Sequence, residues 1–167
     1  MRVIGVDPGL TRAGFAVVED SSGRLRALEY GTIRGTGEAP AQLAALRARL
    51  AEVIGEHRPE AMAVERLFVT RNQRTAIRVG QASGVALLAG AEAGLAVTEY
   101  GPLQVKQAVV GVGSATKDQV AFMVTRLLGL AAKPDTADAS DALALAICHL
   151  HSWKLAARAA PSAGAAR

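Results

Sequence analysis

The stretch Val3-Ile4-Gly5-Val6-Asp7-Pro8-Gly9 decides how this chain reads. Its apolar run has the character of a buried strand, and Asp7-Pro8-Gly9 closes it with a turn that leaves a carboxylate at the strand end. Working outward, Gly14-Phe15-Ala16-Val17-Val18 reads as a second strand. Ser21-Ser22-Gly23 reads as a hairpin turn into a third strand over residues 25–33, so the three form an antiparallel meander. Residues 41–56 then carry Leu43, Leu46, Leu50, Val53 and Ile54 at helical spacing, with Pro40 near the start and Arg58-Pro59 at the end. Ala61-Met62-Ala63-Val64 is a further buried strand, and it ends on Glu65. Joined to the first sheet through a helix, it lies most economically parallel to the first strand. Sites in open α/β sheets form beyond the carboxyl ends of parallel strands, and Asp7 and Glu65 both lie at such ends.

Downstream, the pattern predicts a long helix over residues 72–93 stopped by Gly94, a short strand over 95–100 and a helix over 103–109. Gly111-Val112-Gly113-Ser114 is a turn, Thr116 caps a helix that runs to Leu128, and a last helix spans residues 138–155. Asp135, following Pro134, is expected to cap that last helix. The order βββαβαβ followed by helices is an α/β fold with a five-stranded mixed sheet. Residues 1–155 form one domain on this reading, and the Ala-rich residues 156–167 lack a core pattern and are expected to be a disordered tail.

Composition narrows the function classes. At 167 residues the chain fits a single domain, and no apolar run is long enough to cross a bilayer. The amino terminus lacks the layout of a signal peptide, so a cytoplasmic protein without a membrane partner is expected. Cys148 is the only cysteine, which rules out an internal disulfide and suits a reducing compartment; it reads as a small core residue. The net charge is +4 and arginine dominates the basic residues, which suits a phosphate-rich partner.

Four acids stand at element ends: Asp7, Glu65, Asp138 and Asp141. Asp138 and Asp141 are spaced i, i+3, so they share one face in the first turn of the last helix, where anions are favoured. Alone, that pair is ordinary helix-start chemistry; its weight comes from joining two strand-end acids. Negative charge gathered in low dielectric requires a counterion, and the natural one for hard oxygens is Mg²⁺ or Mn²⁺. The constellation therefore points to a metal-dependent enzyme acting on phosphates. Arg71, Arg74 and Arg78 recur at i, i+3, i+7 with no acid between Arg66 and Arg78, which forms a basic ridge able to track a nucleic-acid backbone.

Four segments together resemble RuvC-type Holliday junction resolvases. They are Val3 through Gly9, Val64-Glu65-Arg66-Leu67-Phe68, Gln104-Val105-Lys106-Gln107-Ala108-Val109-Val110-Gly111, and Ala137-Asp138-Ala139-Ser140-Asp141-Ala142-Leu143-Ala144. The first alone also opens sugar kinases and actin-like ATPases, but those folds need a second such lobe and the chain has no room for one. The resemblance implies a ribonuclease H-like fold and a homodimer that cuts four-way DNA junctions. It implies an acidic tetrad at Asp7, Glu65, Asp138 and Asp141 holding two Mg²⁺ ions per subunit, with Mn²⁺ as a substitute. Lys106 and Lys117 match family lysines near the scissile phosphate, and Phe68 matches an aromatic that stacks on junction bases. Phe68, Arg71, Asn72, Arg74 and Arg78 are the expected DNA-binding residues. The long helix, with Gly80, Ser83, Gly84, Ala86 and Leu87, matches the family's pairing element. Further partners implied are a junction-binding protein and a branch-migration motor. This chain has the all-carboxylate form of the tetrad, and it carries Arg66-Leu67 where the family pattern has glutamine and valine. Two rival readings remain at this point: another ribonuclease H-like nuclease that processes RNA, and a non-catalytic junction-binding module.

Overall fold

Alternation along the strands sets the architecture. The computed structural model describes residues 1–66 and 73–159. In it β1 (Arg2–Asp7) pairs antiparallel with β2 (Arg12–Ser21), and β2 pairs antiparallel with β3 (Arg24–Arg34). On its other side β1 pairs parallel with β4 (Ala61–Glu65), which pairs parallel with β5 (Ala96–Tyr100). The order is β3-β2-β1-β4-β5, the five-stranded mixed sheet expected from the sequence. Because β1 is central and covered on both faces, Val3, Ile4 and Val6 are all fully buried, and its sequence is continuously apolar. The β2–β3 hairpin turns through Ser22 and Gly23, with φ of 52° and 91°, the primed geometry that matches the twist of the flanking strands.

Two cores lie on opposite faces of the sheet. On one, Ile4, Val6, Val17, Met62 and Val64 pack against α1 (Ala39–His57) and α2 (Gln73–Glu92). On the other, Val3, Ala16, Ala61 and Ala63 pack against α3 (Pro102–Val110), α4 (Lys117–Leu128) and α5 (Ala137–Ala159). α1 ends at Arg58, which takes the left-handed conformation (φ 47°) just before Pro59. α4 starts at Thr116 with a reciprocal capping box to Gln119, as its sequence predicts. Every residue of α5 from 142 to 150 is at most 8% exposed, because the sheet, α3 and α4 wrap this helix on all sides.

The structure departs from the sequence reading at both ends of α5. The helix begins at Ala137, so the capping position is Thr136: its Oγ1 accepts the Ala139 N–H at 3.2 Å, and Asp135 is exposed. The helix also continues past Leu155 through Ala159, four residues into the stretch expected to be tail. An ion pair between Lys154 and the nearly buried Asp20 at the end of β2 ties these later turns to the sheet, and the alanines that follow favour helix. His149 and His151 serve packing: His149 Nδ1 lies 3.1 Å from the Tyr100 hydroxyl, and His151 Nδ1 lies 2.9 Å from the Ala108 carbonyl. Cys148 is buried, as its sequence context predicts, and burial pushes its thiol up to about 11.

Candidate active site

The alternation that builds the sheet also aims its terminal acids. Val3, Gly5 and Asp7 share one face of β1, and Ala61, Ala63 and Glu65 share the same face of β4; both point toward α5. Val6 is in register with Val64, so Asp7 and Glu65 leave neighbouring parallel strands side by side. Two glycines then let α5 come down onto the sheet. A Cβ on Gly5 would stand 2.1 Å from the Ala142 carbonyl oxygen, and one on Gly14 would stand 1.9 Å from that of Asp138. Gly14 is the register partner of Asp7, so the first turn of α5, with Asp138 and Asp141, is seated directly over the strand ends.

The electrostatics show that the other three carboxylates all act on Asp7. The Asp7 carboxyl is pushed up to about 7, first by burial and then by the charges of Glu65, Asp141 and Asp138, with Lys117 opposing. Glu65 is also raised, by burial and by Asp141, against the lowering effects of Lys117 and of a hydrogen bond from Asp7. A protonated Asp7 donating to Glu65 is the arrangement this field favours in the absence of another cation. Hard oxygen donors with more negative charge than the nearby cations neutralise are the chemistry that suits a divalent ion such as Mg²⁺ or Mn²⁺. The donor set therefore fits a metal.

Among the described residues, three cations border the cluster. Lys117 Nζ lies 2.9 Å from Asp141 Oδ2, and its pKa is raised by that bond and by the carboxylates beyond it. Lys106, half-buried on α3, lines a crevice of about 80 Å³ together with Glu65, Lys117 and Asp141. The third, Arg12, was not singled out by sequence. Its Nε and Nη2 lie 2.9 and 2.8 Å from the same oxygen of Asp138. A signal for it does exist: Arg12, Gly14 and Ala16 alternate along β2 and so share the face that meets α5.

The remaining expected residues fall elsewhere. Arg74 and Arg78 are exposed at the start of α2, just after the segment that follows Glu65. Phe68, Arg71 and Asn72 lie outside the described residues. On α2, Ser83 and Ala86 are buried, whereas Gly84 is exposed with open space beside it. Glu29, Glu56 and His57 form a second acidic group, whose ligand atoms lie within 4.8 Å of one another. It belongs to the α1 side of the sheet, and Glu29 is already paired with Arg49 and with His57 Nε2. Those contacts already engage Glu29 and His57.

Known proteins share this fold. The sequence profile of the family described as Crossover junction endodeoxyribonuclease RuvC matches residues 3–149. The chain is 48% identical over 157 residues to the crossover junction endodeoxyribonuclease RuvC of Syntrophomonas wolfei, covering 93% of this chain and 91% of the relative. It is 52% identical over 151 residues to the protein of the same name from Moorella thermoacetica, covering 89% and 90%. A solved structure of T. thermophilus RuvC in complex with Holliday junction substrate matches with a TM-score of 0.89 at 40% identity, covering 93% of this chain and 96% of that one. The fold is ribonuclease H-like, as expected. With its profile match spanning both strand-end acids and the α5 pair, the chain belongs to the RuvC family of crossover junction endodeoxyribonucleases.

Proposed function

We propose that this protein resolves four-way (Holliday) DNA junctions by paired, symmetric nicks, as a metal-dependent homodimer in recombination and repair. The observation that carries the reading is the carboxylate cluster over the β1 and β4 ends, bordered by Lys106, Lys117 and Arg12. Asp7, Glu65, Asp138 and Asp141 would hold two Mg²⁺ ions, with Mn²⁺ as a substitute, supplying the Lewis acidity that activates water and neutralises the leaving 3′-oxygen. Asp7, whose carboxyl feels all three other carboxylates, would be the residue shared by the two ions. Asp7 would have to give up its proton for the site to hold an ion, because a carboxylate ligates in its ionised form. Lys117 is held at the rim by Asp141, and Lys106 faces the same crevice. Both would bind non-bridging phosphate oxygens and stabilise the negative charge that grows as water adds to phosphorus and the P–O3′ bond breaks.

The exposed Arg74 and Arg78 supply backbone contacts beside the site, and Phe68, Arg71 and Asn72 are assigned to the junction on the family resemblance. Pairing of two copies is supported by the outward face of α2, where Ile77 is 63% and Leu88 is 50% exposed on either side of the open Gly84. A twofold dimer would match the twofold symmetry of an open junction, which accounts for nicks in pairs. A junction-binding protein and a branch-migration motor are the further partners the family reading suggests.

The test offers synthetic four-way, duplex and RNA–DNA hybrid substrates with Mg²⁺ or Mn²⁺ and maps the nicks. Symmetric paired nicks in the four-way DNA are expected, and preferential RNA cleavage would move the protein to another ribonuclease H-like activity. Asp7→Asn is expected to lower metal-dependent cleavage by at least about 10³-fold, since it would remove the ligand that the two ions would share. Cleavage within a few-fold of wild type would sink the metal scheme.

A further inference from the structure

Arg12 takes no part in the mechanism above, yet it makes the closest cationic contact to Asp138. Both its Nε and its Nη2 converge on Oδ2, at 2.9 and 2.8 Å. Its position is fixed by β2, which brings Gly14 against the Asp138 backbone and leaves Arg12 two residues earlier on the same face, at the mouth of the site. Helix electrostatics do not explain a cation there, because the first turn of α5 presents the positive end of the helix dipole. The carboxylate is the target. Lys117 makes the equivalent contact with Asp141, so each α5 acid carries one positive charge from the protein itself.

We propose that Arg12 is a built-in stand-in for the divalent cation: it occupies Asp138 in the metal-free protein and yields that carboxylate when metal binds. This rests on the reading of the tetrad as the metal site. Two properties of the pair make it a placeholder and not a permanent strut. The guanidinium is held to the carboxylate by side-chain contacts alone, so it can leave by moving. It is also 47% exposed, and an ion pair open to water to that degree is held weakly enough for a divalent ion to displace it. Arg12 would then set the divalent-ion concentration at which the site fills. Without it, the cluster would bind metal more readily but would stand less well neutralised when empty.

The experiment is a calorimetric titration of the full-length, DNA-free protein with Mn²⁺, comparing wild type, Arg12→Gln, Arg12→Lys, Asp138→Asn and the double variant Arg12→Gln/Asp138→Asn. Thermal melts check that each variant is folded. Arg12→Gln is expected to bind Mn²⁺ about three- to tenfold more tightly than wild type, with Arg12→Lys in between. In the Asp138→Asn background the gain should vanish, because there is no carboxylate left to release. Unchanged or weaker Mn²⁺ binding by Arg12→Gln overturns the proposal and makes Arg12 a strut that orients Asp138. An equal gain in the Asp138→Asn background also overturns it, since the effect would then be the general field of a lost positive charge. Failure of wild type to bind Mn²⁺ at all overturns the underlying metal reading too, and so is told apart from the other two.

Discussion

Asp7 concentrates the electrostatic cost of this site in one residue. Its carboxyl is raised from 3.8 to about 7, so across that interval the folded metal-free protein holds a proton that the unfolded chain has already released. The stability associated with that proton is fully present below the unfolded value and is lost as pH rises through the folded one. Glu65, also raised, adds to the same trend. In chelator, the wild-type protein should therefore melt at a lower temperature at pH 8 than at pH 5, with Asp7 contributing a loss of about 2–3 kcal/mol of stability between the two. Asp7→Asn, which carries no charge at either pH, should lose most of that dependence, and saturating Mg²⁺ should abolish it in wild type. Scanning calorimetry at the two pH values with and without metal checks all three. A wild-type melting temperature that climbs from pH 5 to pH 8 in chelator would show that the cluster is not the dominant titrating group. Lys117 does not enter this window: its pKa is raised further above neutrality by Asp141, so it stays charged throughout.

At the scale of elements, the site depends on how closely α5 approaches β1 and β2. A methyl group on Gly14 would have to occupy space 1.9 Å from the Asp138 carbonyl oxygen, and neither main chain can yield without moving the helix. Gly14→Ala should cost about 1–3 kcal/mol in urea unfolding and depress cleavage more than its stability loss explains, because Asp138 and Asp141 move with the helix. Normal specific activity in the folded fraction would show that the site tolerates the shift. Much of this element level was legible in the sequence. The runs ending in Asp7 and Glu65 announced themselves because a strand covered on both faces must be apolar until it reaches solvent. The seat at Gly14 was not legible, since a glycine in a strand does not say which neighbour's backbone occupies its missing side chain. Arg12 was hidden for the same reason: its partner is 126 residues away in sequence, and only the three-dimensional register pairs them. The end of α5 was misread because Asp20, which anchors it through Lys154, lies on a different element altogether. Thr136 displaced Asp135 as the cap through a one-residue difference in where the helix starts, a difference both residue types permit.

Across the whole molecule, the sheet separates two tasks. The tetrad lies on the α3–α5 face, while α2, on the opposite face, turns Ile77 and Leu88 outward. In the proposed dimer that outward face is the contact between copies. Ile77→Asp combined with Leu88→Asp should leave a folded monomer by sedimentation velocity, with its tetrad intact and its paired nicking of four-way junctions reduced at least about tenfold. A variant that sediments as wild type would place the contact elsewhere. The cores on either side of the sheet are built from interchangeable aliphatic side chains, and such cores drift in sequence while keeping their volume. The stop between α5 and the strands is different in kind, because it is peptide against peptide at Gly5 and Gly14. The gap between the strand-end acids and the α5 acids is therefore gauged by main-chain thickness, which mutation does not alter. The aliphatic residues around the site can be exchanged over evolutionary time while its working distance stays constant.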